Sequence, residues 1–191
     1  WLGLGAVYDN SKILEAYPDA ADYNASPPWG PPNAFHFWGE PLYGYYRSDD
    51  PWVLRRHAAL LSDAGVDFVV FDATNTLIYE NVVMKICEVW DTQRRLGERV
   101  PQIAFMVNTH AGATAQKLYE VLYKQNLYPE LWFRWKGKPL MLCDPAEASE
   151  EVAAFFTLRE AHWPFTLVDT HNAWHWEATY PKVYSYDTDP A

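Results

Sequence analysis

Apolar positions along this chain fall into two alternating rhythms from about residue 51 onward. Asp49 and Asp50 precede Pro51, and Trp52, Leu54, His57, Leu60 and Leu61 then recur at helical spacing as far as Ala64 and Gly65. Acidic residues before a proline start a helix and a glycine stops one, so a helix is predicted over 51–64. The next run, Val66-Asp-Phe-Val-Val-Phe71, is short, apolar and β-branched, as in a parallel strand buried on both faces. The same alternation then repeats. A helix over 81–96 carries Val82, Ile86, Val89 and Trp90 on one face with Gly97 beyond it, and a strand follows over 102–107. Leu118, Val121 and Leu122 mark a helix over 114–124, residues 131–143 read as strand, turn and strand, and a helix over 147–161 precedes a strand over 165–168. Residues 1–50, with Ser26-Pro-Pro-Trp-Gly-Pro-Pro32, read as a long structured loop holding one short helix near 11–17, because this density of Pro and Gly prevents long helices and central strands.

Alternating helices and strands imply an α/β fold with a mostly parallel sheet and right-handed crossovers. At 191 residues the chain suits one domain. Four or five strands fall short of a closed eight-stranded barrel, which takes about 250 residues. The expectation is therefore a partial barrel or a doubly wound sheet.

Composition narrows the partners. A formal net charge of -10 disfavours nucleic acid, which needs a basic stripe to displace counterions. The longest apolar runs, such as 68–71, are too short for a membrane span. Neutral or cationic ligands fit better, and the ten Trp and thirteen Tyr exceed what a core of aliphatic residues needs, leaving aromatic faces for flat or apolar ligands such as sugars. Cys87 and Cys143 lie in different elements and read as separate buried thiols. Lys136-Gly137-Lys138 lacks both the spacing and the following helix of a phosphate loop and reads as a turn; no cofactor is expected. The chain opens at Trp1 in an apolar stretch with no signal-peptide pattern, as a processed chain or a fragment would.

The candidate chemistry sits where predicted strands end: Asp72-Ala-Thr-Asn75, Asn108-Thr-His110, Asp144, and Asp169-Thr-His-Asn-Ala-Trp-His-Trp176. Parallel strands with their helices bring such ends to one rim. Glycoside hydrolysis uses two carboxyl groups about the scissile bond, and Asp72 and Asp169 are the candidates for acid, base or stabilising roles. Asp144, followed by Pro145, reads as a cap or as a pocket residue. Asn75, Asn108 and His110 are candidate hydroxyl contacts, a turn Asn and a structural His being the alternatives. His171 and His175 are four residues apart, yet no Glu lies between them as in a zincin; no metal site is assigned, and His171 is placed with the ligand contacts. Trp38, Tyr46, Trp174 and Trp176 are candidate sugar platforms, with lid or core packing as the alternative. His36, Glu40 and Arg47 are candidate ligand contacts, a Glu40–Arg47 salt bridge being the alternative. His57, Trp132 and Trp135 read as packing residues.

Phe37-Trp-Gly-Glu-Pro-Leu-Tyr-Gly-Tyr-Tyr46, Ala64-Gly-Val-Asp-Phe-Val-Val-Phe-Asp72, Leu131-Trp-Phe-Arg-Trp-Lys-Gly-Lys-Pro-Leu140 and the 169–176 segment, taken in order, resemble bacterial proteins of the glycoside hydrolase 71/99-like group, which includes endo-α-mannosidases and WbsX-type polysaccharide-biosynthesis proteins. The resemblance implies a (β/α)8 barrel of the TIM type, incomplete at both ends of this chain, acting on carbohydrate and secreted or periplasmic. It also carries two departures. Asn108 stands where the endo-α-mannosidase branch has a carboxylate, and the chain stops before a Trp-Asn-Glu-Trp-like strand end. The implied activity is hydrolysis of glycosidic bonds in a polysaccharide or glycan. The alternative is a non-catalytic glycan-binding or fragmentary barrel that self-associates through an unfinished sheet.

Overall fold

The structure is a computed structural model that describes residues 10–21, 41–44, 46–162 and 174–175. Helix α1 (Asn10–Ala16) and a 3-10 turn (Pro18–Ala21) come first. The main body follows: α2 (Pro51–Asp63), β1 (Phe68–Ala73), α3 (Glu80–Arg95), β2 (Gln102–Val107), α4 (Ala111–Leu118) continued by a π-helical stretch (Tyr119–Tyr123), a 3-10 turn (Pro129–Leu131), β3 (Arg134–Trp135), β4 (Lys138–Leu142), α5 (Glu150–Phe155) and β5 (Thr157–Arg159). A two-stranded pair, β6 (Ala161–His162) and β7 (Trp174–His175), completes the described residues.

Strand β2 lies between β1 and β4, parallel to both, with Phe105 aligned on Phe71 and on Met141. Strand β5 extends the parallel set on the far side of β4, pairing Leu142 with Arg159. Strand β3 is antiparallel to β4 and joined to it by a two-residue turn, Lys136 and Gly137, both at positive φ (53° and 85°). Two positive φ values are what a tight type I′ hairpin turn requires, which accounts for the Lys-Gly-Lys sequence without a phosphate.

The pleat sorts the side chains. Ile103, Phe105 and Val107 of β2, Ala73 of β1, and Met141 and Cys143 share one cluster with Leu54 and Ala58 of α2, Val83, Cys87 and Trp90 of α3, Ala115 and Leu118 of α4 and Val152 of α5. All these helices therefore cover the same face of the sheet. The alternate residues, Ala104, Met106, Leu140 and Leu142, form a second cluster on the opposite face with Phe68, Phe133, Trp135 and Trp174 packed against it.

This arrangement corrects the barrel expectation. The described strands form an open, five-stranded mixed sheet, not an eightfold closed one. Closure needs about eight strands of matched tilt and stagger, whereas the described residues supply four parallel strands and one short antiparallel one. A second correction concerns 147–161, read as one helix: α5 ends at Phe155 and β5 occupies 157–159. Pairing of Thr157, Leu158 and Arg159 with Leu140, Met141 and Leu142 outweighs the helical spacing there.

Helix ends are fixed by capping. Asp50 Oδ1 accepts from the backbone N–H of Trp52 (2.8 Å) and Val53 (3.1 Å), and Ser149 Oγ accepts from Val152 (3.2 Å). Gly112, in the first turn of α4, lies so close to the β4–α5 loop that an alanine Cβ would overlap the carbonyl of Glu147. Gly112→Ala is therefore expected to cost about 1–3 kcal/mol through overpacking against backbone, read as a lower urea midpoint at unchanged slope. An unchanged midpoint would mean that the loop does not approach α4 this closely.

Candidate functional site

The parallel register sets the level of each strand end. Asp72 aligns with Met106, and Met106 with Leu142, so the ends of β1, β2 and β4 leave the sheet at the same edge. Asn108 and Asp144 each lie two residues past that level. By the two-residue repeat of the pleat, Asp72 lies on the sheet face that the helices leave uncovered, and Asn108 and Asp144 follow the last residues of β2 and β4 at the same edge. The structure thus brings three of the sequence candidates to one edge. A backbone bond from the N–H of Thr109 to the carbonyl of Thr74 (2.9 Å) ties the β1 and β2 loops together.

The two carboxylates are built alike. Asp72 Oδ1 accepts from the N–H of Thr74 (2.9 Å) and Asp144 Oδ1 from the N–H of Ala146 (2.8 Å), each closing a local turn. Both aspartates thus fix turns, and the turn bond occupies one oxygen of each. Asp72 is exposed and Asp144 half-buried. Asn75 is committed on both sides: its Oδ1 accepts from Leu77 N–H (3.3 Å) and its Nδ2 donates to the Tyr79 hydroxyl (3.2 Å). Asn108 and His110 are exposed at the end of β2, and His110 holds the residue position before α4 without capping it through its side chain.

Backbone strain gathers at the same edge. Thr76 (φ 71°) and Tyr79 (φ 47°) follow β1, and His110 (φ 49°) follows β2, all in the left-handed region. For a β-branched residue such as Thr76 this is an unfavourable conformation, and such residues cluster at ligand-contacting sites. Composition gave no sign of Thr76 or Tyr79, since neither is a usual positive-φ residue. The end of β5 adds Arg159, a buried guanidinium level with Leu142, whose Nη1 donates to the Leu158 carbonyl (2.7 Å). It was missed because 147–161 reads as helix.

Separation bears on chemistry. With strands ~4.8 Å apart and a rise of ~3.3 Å per residue, two strand spacings and a two-residue offset put the Asp72 and Asp144 Cα atoms roughly 12 Å apart. Even with both side chains turned inward this is wider than the ~5 Å between carboxyl groups in a retaining glycosidase, whereas the ~6.5–9.5 Å of an inverting one stays within reach.

Other candidates lie elsewhere. Trp174 packs its ring against Trp135 (centroids 5.5 Å) and Phe68 (6.5 Å), on the uncovered face but at the opening end of β1, four residues or ~13 Å along the strand from Asp72. Arg47 grips Asp49 with two bonds, Nε to Oδ1 (2.9 Å) and Nη2 to Oδ2 (3.0 Å), and this pairing holds the Asp49 carboxyl below its ordinary range. Tyr46 stands edge-on to His57 (5.8 Å). His36, Trp38, Glu40, Asp169, His171 and Trp176 lie outside the described residues. Among the described residues no three His, Cys, Asp or Glu gather as metal ligands, and no helix is long and apolar enough to cross a membrane. A polar cleft of about 400 Å³, lined by Ser62, Asp67, Arg94, Arg99 and Gln102, lies at the opposite end of β1 and β2 from the strand tips.

The chain matches no protein-family model, no curated protein and no solved structure.

Cys143 immediately precedes Asp144, yet it is not a nucleophile. Both Cys87 and Cys143 are free and buried, and burial pushes each thiol up to about 12. The folded chain holds these protons more tightly than the unfolded chain, so the stabilisation is present below the unfolded thiol value of about 8.5 and is lost as pH rises toward 12. Both thiols are expected to stay unreactive toward an aromatic disulfide reagent at pH 8 and to react together in urea, with the urea midpoint falling above about pH 8.5. Reaction of Cys143 in the native protein would return it to the list of candidate nucleophiles.

Proposed function

We propose that this chain binds a neutral glycan along the strand-end edge, with Asp72 and Asp144 accepting hydrogen bonds from sugar hydroxyls and Asn108 both donating and accepting. The observation that supports this most is the parallel register of β1, β2 and β4, which brings these three residues to one edge of the sheet. Each carboxylate keeps one oxygen outside its turn bond, and a carboxylate accepting from a hydroxyl forms one of the stronger neutral-ligand contacts. The net charge of -10 disfavours acidic polysaccharides and polyphosphates.

Glycoside hydrolysis is the second reading. It rests on the exposed Asp72 at a strand tip beside strained loops, and it requires a second carboxyl group, for which Asp144 suits an inverting separation and Asp169 is the other sequence candidate.

Asp72→Asn is the test, because the amide oxygen still closes the turn to Thr74 while the charge is gone. Calorimetry with neutral hexasaccharides (cellohexaose, maltohexaose, mannohexaose) is expected to show binding to the unaltered chain, weakened about 10- to 100-fold in Asp72→Asn and Asn108→Ala, in line with the ~1.5–3 kcal/mol of a charged hydrogen bond. Release of reducing ends that disappears in Asp72→Asn would establish hydrolysis as well. Unchanged affinity in both variants would refute the strand-end site.

A further inference from the structure

A second surface at the same end of the helix layer has the makings of a sugar platform. Helix α2 runs directly into β1 through the turn at Gly65, so its first turn lies toward the end of the layer where Asp72 emerges. Trp52, in that first turn, is 51% exposed, and Tyr46, in the preceding loop, is 39% exposed. Tyr43 meets the Trp52 ring edge-to-face at 5.1 Å, and His57, one turn further along α2, touches both Tyr43 (6.2 Å) and Tyr46 (5.8 Å). Four rings thus support one another while two keep much of their surface in water.

The platform is held in place rather than loosely draped. Asp50 fixes the backbone of Trp52 by accepting from its N–H at 2.8 Å. The Arg47–Asp49 fork links two residues of the segment that leads from Tyr43 and Tyr46 into α2. Rings ordered before binding lose little entropy on binding.

We infer that Trp52, Tyr43 and Tyr46 form an aromatic subsite that takes the C–H face of a neutral pyranose, on the helix side of the same end of the fold as the strand-end site; this rests on the glycan reading above. Size and charge select that ligand. Three partly exposed rings with Leu42 beside them present roughly 300–400 Å², from the 150–250 Å² that each aromatic side chain covers, against ~800 Å² per partner in a standard protein interface. Asp49 is paired with Arg47, and Asp50, whose Oδ1 caps α2, adds a negative charge beside the rings that opposes anionic ligands.

The probes are the same neutral hexasaccharides. Trp52→Ala is expected to weaken the best-bound one about tenfold, and Trp52→Tyr to restore most of that affinity, since a flat face remains. In ¹⁵N spectra one indole N–H resonance, assigned by its loss in Trp52→Phe, is expected to shift on titration. Because Trp52 is half exposed, all three variants are expected to keep the thermal midpoint of the unaltered chain. Full affinity in Trp52→Ala, or an indole signal that stays put, overturns the platform even where Asp72→Asn has weakened binding. Loss in Trp52→Ala with full affinity in Asp72→Asn upholds the platform and removes the strand-end site. Absence of binding by every hexasaccharide overturns both.

Discussion

Everything positional in this protein follows from one pairing: β2 held in parallel register between β1 and β4. Because all three strands run the same way, they deliver their last residues to one edge. Because the pleat repeats every two residues, the register also decides which face each residue meets. Ile103, Phe105 and Val107 go under the helices, while Ala104 and Met106 go to the other side. Slipping β1 by a single residue would exchange its two faces, sending Asp72 toward α3 and Phe71 out of the core. The burial of Phe71 and Ala73 against the helix layer is therefore what fixes the place of Asp72.

The aromatic content looks different once the rings are placed. Phe105, Tyr123, Trp132, Phe155 and Phe156 form a continuous network of edge-to-face and tilted ring contacts beneath the helices, with Tyr123 to Trp132 at 4.6 Å and Tyr123 to Phe156 at 4.7 Å. Phe68 stacks on Phe133 at 3.8 Å across the uncovered face, and Trp135 and Trp174 continue that cluster. Aromatic side chains here do much of the core filling that aliphatic residues do elsewhere. The excess read from composition as ligand surface is thus largely structural, and the Trp52 group stands out because it combines mutual support with solvent exposure.

Long amphipathic segments were the legible part of the sequence. The helix over 51–64 and the strand over 102–107 coincide with α2 and β2 to within a residue, since each carries an unmixed period and a clear stop. Residues 66–71 were displaced by two because Asp72 was taken as a terminator, whereas it continues the ladder opposite Met106. Short elements were less legible. Strand β5 exists through its partner β4, and nothing local to 157–159 announces that partner. Parity gave the candidate site its shape: Asp72, Asn108 and Asp144 could be read as strand tips, whereas the strained Thr76 and Tyr79, the buried Arg159 and the Tyr43–Trp52 contact depend on tertiary placement. The barrel inferred from family resemblance failed because four ordered β/α steps are compatible with an open sheet as well as a closed one, and the described strands form the open one.

The central claim is geometric, and a spin label tests it most directly. A nitroxide attached at Asn108→Cys, where the side chain is exposed and the two native thiols are buried, is predicted to broaden the amide signals of Thr74, Asn75, Asp144 and Ala146. Those of Asp67, Gly97 and Glu98, a strand length of ~20 Å away at the other end of the sheet, are predicted to stay sharp. Broadening of the second group with the first unaffected would contradict the parallel register and, with it, the shared edge on which the functional account stands.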